Sequence, residues 1–169
     1  MTSVTRRMLL AASPQLPAVL PATVLLVAGG DRLPDPIASH FGTSGAADGF
    51  SGRWTVVAIH IGLGVVLTVL YALAARHGRG GAVAVDTGDH GRFVVSTGWA
   101  VAAFLGVLLY VAAAANLDLS DAADALLPGW WLPVAAAVGA VSGLVGHRLA
   151  PRTPPDPTAT EPRNGARSC

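Results

Sequence analysis

Lysine is absent from this chain, so its 11 basic residues are all arginine. Only 12% of its residues are charged, about half of the roughly 25% expected of a soluble domain. Cysteine is nearly absent as well. Cys169 stands alone at the last position, which excludes an intramolecular disulfide and any zinc cluster built on cysteines. A net charge of +1 supplies no bulk basic field for nucleic acid. The chain carries no G-x-x-x-x-G-K-[ST], no H-E-x-x-H and no G-x-S-x-G, and no motif in it calls for a cofactor. Acidic residues are missing from all of its long apolar runs, which disfavours a proton-coupled pump or an intramembrane aspartyl protease.

Apolar sequence is what the chain has in abundance: 52% hydrophobic residues and a mean hydropathy of +0.54. Four runs stand out, at residues 8–30, 54–75, 94–115 and 130–149, each bounded by Gly, Pro, Asp or Arg. Each is long enough to cross a bilayer at about 1.5 Å per residue. The expected fold is therefore all-α, an integral membrane bundle of four transmembrane helices. Pro14, Pro17 and Pro21 lie in the first run, and each removes a backbone donor. Helix 1 should be kinked or broken in its first half, with neighbouring helices satisfying the freed carbonyls. Thr5-Arg6-Arg7-Met8-Leu9-Leu10 loosely matches a twin-arginine export signal. The apolar run that follows exceeds the h-region of a signal peptide and lacks a small-x-small site, so it reads as a retained helix. Gly98, Ala102 and Gly106, Gly139 and Gly143, and Ala58 and Gly62 each recur every four residues, a spacing that lets helices approach closely.

Arginine sets the direction. With a cytoplasmic N-terminus, the inner segments hold nine arginines (Arg6, Arg7, Arg76, Arg79, Arg92, Arg148, Arg152, Arg163 and Arg167), and the outer loops hold only Arg32 and Arg53. This split predicts both termini inside. The chain then divides into an N-terminal segment 1–7, a helix-loop-helix unit 8–75 with an extracytoplasmic loop 31–53, an inner loop and second hairpin of helices at 76–149, and a disordered cytoplasmic tail 150–169. Trp54, Trp130 and Trp131 should lie at the outer interface and Tyr71 near the inner one. The excess of Ala, Gly, Val and Arg suggests a GC-rich bacterial genome, hence a multi-pass protein of the bacterial plasma membrane.

Candidate chemistry concentrates in the outer loop. Pro34 and Pro36 stiffen its first part, and Gly42, Gly45 and Gly49 supply turns. His40 with Asp35 or Asp48 could ligate a metal or act as an acid or base. The bland alternative is a structural loop in which His40 and Asp48 bond backbone, Phe41 and Phe50 dip into the interface, and Arg53 pairs with headgroups or an Asp. His60 lies inside the second run, where an ionisable residue is a candidate site facing the bundle interior. Its partner should be His40, Asp48 or a helix backbone freed by the prolines. Asp118, Asp121 and Asp124 recur every three residues and would share one face of a short interfacial helix, with Leu119, Leu126 and Leu127 against lipid. That face is a solvated acidic surface or a calcium site.

Leu33, Pro34, Ile37, His40, Phe41, Gly45, Asp48, Gly49, Phe50, Gly52 and Arg53 follow in order the pattern L-P-x-x-[IV]-P-x-H-[FW]-x-x-x-G-x-x-D-G-[FWY]-x-[SG]-[KR]. This resembles the core motif of a bacterial membrane domain, the domain of unknown function of type 1648, which lies between two transmembrane helices. It also forms the N-terminal part of membrane proteins giving immunity to the sporulation-delay toxin. Ala38 stands where the second proline of the pattern is usual. The resemblance implies a small membrane protein, and in the immunity branch it implies protection from a membrane-active peptide. The expected function is non-enzymatic: a binding or regulatory, immunity-like protein whose loop meets a peptide, a lipid headgroup or a membrane-protein partner. A metal-dependent envelope enzyme using His40, Asp48 and His60 is the alternative.

Overall fold

The computed structural model describes residues 3–76 and 90–151. The tail from residue 152, most of the inner loop with His77 and Arg79, and the first two residues lie outside the described residues, so the expectation of a disordered tail falls there. The elements are α1 (Ser3–Ala12), α2 (Gln15–Ala28), β1 (Ile37–Phe41), β2 (Ala47–Ser51), α3 (Arg53–Arg76), α4 (His90–Ala114) and α5 (Trp131–Leu149).

The first apolar run is two helices, broken at Ser13 and Pro14. Pro14 has no N–H to offer the carbonyl of Leu10 four residues back. The indole Nε1 of Trp99, on α4, donates to that carbonyl at 2.8 Å. Beside it, the buried Gln15 side chain donates through Nε2 to the carbonyl of Gly98 at 2.9 Å and to that of Ala11 at 3.4 Å. A neighbouring helix thus closes the break, as a bilayer without water demands.

α4 packs between α2 and α5, while α3 packs on α1 and α2. The close approaches fall on small residues. A Cβ at Gly98 would lie 2.8 Å from the Ala11 carbonyl oxygen, and one at Gly106 would lie 2.8 Å from that of Ala18. Ala102 between them is buried. Gly139 and Gly143 meet α4 at Ala100, Phe104 and Ser96, whose hydroxyl donates to the Gly143 carbonyl at 2.8 Å. The pair Ala58 and Gly62 behaves differently. Both are exposed, and nothing approaches a Cβ at Gly62. The buried face of α3 runs instead through Val56, Val57, His60 and Gly64. In a chain this rich in Ala and Gly, the spacing marks a smooth face without showing that a partner covers it.

Four helical spans among the described residues are long and apolar enough to cross a membrane: Val4–Ala28, Arg53–Arg76, His90–Ala114 and Trp131–Leu149. Their outer faces are apolar too, with Val65, Val66, Leu70, Val141 and Leu144 all exposed. A soluble helix would be polar there, so hydrocarbon is the solvent these faces suit.

The expected all-α fold needs one amendment. The polar connection between α2 and α3 contains a small antiparallel hairpin, with Ile37 opposite Ser51, Ala38 opposite Phe50, His40 opposite Gly49 and Phe41 opposite Ala47, and irregular register on either side of His40. Pro34 and Pro36 keep its approach out of helix; the Asp35–Pro36 peptide is cis. Neither strand alternates apolar with polar, so the hairpin has no period-two signature in the sequence.

Candidate functional site

The hairpin is fastened to the bundle from several sides. Leu33 and Ile37, at its root, are buried among Ala22, Leu26, Val56, Val57 and Ala113. Arg53 ties its two ends together: Nη1 donates to the Gly30 carbonyl at 2.9 Å, and the guanidinium lies 5.4 Å from the centre of the Trp54 ring. Asn116, wholly buried at the end of α4, takes both polar groups of Ala38. Its Oδ1 accepts from the Ala38 N–H at 2.7 Å, and its Nδ2 donates to the Ala38 carbonyl at 3.1 Å and to the Ala112 carbonyl at 2.9 Å. The motif usually has proline at the position of Ala38. Proline has no N–H, so alanine here and the Asn116 acceptor are matched.

On the other edge, the Ala47 N–H donates to the Ala125 carbonyl at 3.2 Å and the Leu127 N–H to the Gly45 carbonyl at 2.8 Å. Gly45 adopts φ +84, and a Cβ on it would overlap the Leu127 carbonyl oxygen. Glycine at this motif position therefore has both a conformational and a packing reason. Each strand is thus tied at one point of its outer edge, β1 at Ala38 and β2 at Ala47.

A further clamp joins the hairpin root to the α4–α5 connection. Arg32 Nε and Nη2 each donate at 2.8 Å, to Oδ1 and Oδ2 of Asp118 respectively. The Asp118 N–H donates to the Arg32 carbonyl at 2.7 Å, and Asp118 takes φ 60. Those side-chain hydrogen bonds hold the Asp118 carboxyl below the usual carboxylate range and push the Arg32 guanidinium up. The three aspartates therefore do not form one helical acidic face. Only residues 122–124 form a 3-10 turn, and Asp121 caps it by accepting from the Ala123 N–H at 2.9 Å. Leu127 and Leu119 pack inward rather than against lipid, and Leu126 is exposed.

What remains exposed is a compact set of motif side chains. His40 Nδ1 and Asp48 Oδ1 are 2.5 Å apart, with the side chains 75% and 51% exposed. Gly49 lies opposite His40, where a Cβ would come 2.8 Å from the His40 Cβ. Phe50 is 46% exposed, while Phe41 packs partly on Ala38, Ala122 and Ala125. Phe50 also lines a groove of about 270 Å³, with Pro34, Asp35 and Pro36 on its own wall and residues 120–123 opposite.

His60 sits apart. It is 5% exposed within α3, and among the described residues its Nδ1 has no hydrogen-bond partner. One turn away Gly64 packs on Val19 and Leu16 of α2. Trp99 and Gln15 take the carbonyls of Leu10 and Ala11 at the helix break, and His40 pairs with Asp48. Among the described residues no three His, Cys, Asp or Glu side chains gather as a metal site. Sequence reasoning missed Asn116, Arg32, Gln15 and Trp99. A lone amide closing an apolar run, or opening one after a proline, was the available signal.

Among the described residues, four membrane-length helical spans with a hairpin docked at one end define a multi-pass membrane protein. The family model for a domain of unknown function, DUF1648, matches residues 16–65, from the start of α2 through the hairpin into α3. That is the family the loop motif resembles. No curated protein and no solved structure matches the chain.

Proposed function

We propose that this is a non-enzymatic binding protein of the bacterial plasma membrane, acting through the hairpin on its extracytoplasmic side. One observation carries the reading: the motif residues divide into two kinds. Leu33, Ile37, Gly45, Gly49 and Arg53 hold the hairpin in place. His40, Asp48 and Phe50 stand exposed on the hairpin held by those contacts. An exposed aromatic and a paired imidazole and carboxylate on one small hairpin are surface chemistry suited to recognition. The nine-to-two distribution of arginine supports an outward-facing hairpin.

The occupant that fits best is a peptide, with Phe50 and the two prolines giving apolar contact and Asp35 and Asp121 giving charge at the groove. A regulatory or immunity-like role is the one known context of the resembled domain that such peptide binding would serve. The test is site-specific photo-crosslinking from position 50 in intact cells, repeated with His40→Ala and Asp48→Ala. The expected result is a peptide adduct that both variants lose while their thermal unfolding stays at the wild-type value. A headgroup or membrane-protein adduct would reassign the occupant, and an adduct indifferent to both variants would sink the role of the exposed pair.

A further inference from the structure

We propose that the opposite end of the bundle holds a binding site for a phosphate-bearing anion. Arg6 on α1, Arg92 on α4 and Arg148 on α5, with residues 149–151, line one open hollow of about 380 Å³. These guanidiniums come from three separate helices, so no i,i+4 spacing explains their convergence. Arg92 is fixed in part by its Nη2 donating to the His147 carbonyl at 3.4 Å. Arg7 reinforces the same end, its side chain lying against Gly91, where a Cβ would come 2.7 Å from the Arg7 Cδ.

Arg6 and Arg148 thus bring planar guanidinium groups from two ends of the chain to the same hollow that Arg92 lines. An anion placed there would meet side chains of one sign from three helices. Planar guanidinium forks match phosphate oxygens, which take paired, charge-assisted hydrogen bonds. The positive-inside rule alone does not account for the arrangement. It asks for arginines somewhere on the inner side and is met by arginines spread along loops. Here three converge on a cavity with room for more than a single phosphate. The cavity lies at the starts of α1 and α4 and the end of α5, where helices leave the hydrocarbon and lipid phosphates lie. A lipid headgroup and a soluble phosphate compound share the chemistry, and experiment separates them.

The full chain is reconstituted in phosphatidylcholine nanodiscs, with and without phosphatidylglycerol, and lipids retained on release are counted by native mass spectrometry. In parallel, inorganic phosphate and pyrophosphate are titrated calorimetrically into the phosphatidylcholine sample. Arg6→Gln/Arg148→Gln is compared with Arg6→Lys/Arg148→Lys, which keeps the charge and removes the fork, and thermal unfolding in the nanodisc confirms that each is folded. Retention of phosphatidylglycerol over phosphatidylcholine, falling about tenfold or more in the glutamine variant and partly restored by lysine, supports the site with lipid as its source. Phosphate or pyrophosphate binding that disappears in the glutamine variant, without lipid preference, supports it with a soluble source. No preference and no titration in the wild type overturns the proposal, as does binding unchanged in a folded glutamine variant.

Discussion

Replacing Asn116 with alanine should release the hairpin while leaving the helices intact. The side chain makes three hydrogen bonds: one to the Ala38 N–H, one to the Ala38 carbonyl and one to the Ala112 carbonyl. Ala38 is 3% exposed, so its two backbone groups have no water to turn to once the amide is gone. Opening the hairpin breaks the two bonds to Ala38 and spares the local one to Ala112, so at about 1 kcal/mol net for each bond the change amounts to about 2 kcal/mol. A tenfold change in an equilibrium constant is about 1.4 kcal/mol, so local opening of the hairpin should rise roughly thirtyfold. Hydrogen exchange in nanodiscs reads this directly from peptides spanning residues 33–53, with peptides from α3 as the internal control. Asn116→Asp is the companion variant. It keeps an acceptor for the Ala38 N–H but turns a carboxylate toward the Ala38 carbonyl, so it should open the hairpin at least as much. Exchange within about threefold of wild type in Asn116→Ala would refute the view that this amide docks the hairpin.

Three further outcomes follow from the same contacts. Ala38→Pro restores the residue usual in the family motif, yet it removes the donor to Asn116. It should destabilise the hairpin by about 1–2 kcal/mol in thermal or denaturant unfolding, and a neutral or stabilising effect would contradict the pairing. Gly45→Ala forces a side chain into a positive-φ position against the Leu127 carbonyl. It should cost about 1–3 kcal/mol and raise exchange at residues 125–127, and unchanged exchange there would count against the contact. The Arg32–Asp118 clamp gives an acid signature. Because the folded carboxyl is held low, its contribution is full above the ordinary carboxylate pKa and is lost as pH falls through the lowered folded value. Exchange near Arg32 should rise over that acid range in wild type, and Asp118→Asn should remove the pH dependence. An acid step persisting in the variant would place its origin elsewhere.

The helices were legible because hydropathy is a local property. All four runs became membrane-length helices, and three prolines in the first were enough to anticipate its break. The glycines of α4 and α5 also pack as their spacing suggested. What stayed hidden depends on contacts far apart in the chain. Asn116 reaches Ala38 across 78 positions and Arg32 reaches Asp118 across 86, and neither pairing leaves a period in the sequence. The hairpin was hidden for a related reason. Its stability comes from Leu33, Ile37 and Asn116 holding it to the bundle, so strands as unpromising as Ala-Asp-Gly-Phe-Ser can form. His60 is buried within α3, and the sequence offered no signal for what its ring meets there.

Whether the hairpin faces outward is the claim on which the functional reading depends. Impermeant thiol labelling of intact cells tests it most directly, with Phe50→Cys and Leu149→Cys made separately in a Cys169→Ser background. Phe50 is exposed at the hairpin end and Leu149 lies at the arginine-rich end. The account predicts that position 50 reacts in intact cells and position 149 reacts only after permeabilisation. The reverse pattern would put the hairpin in the cytoplasm and contradict recognition of an extracytoplasmic partner.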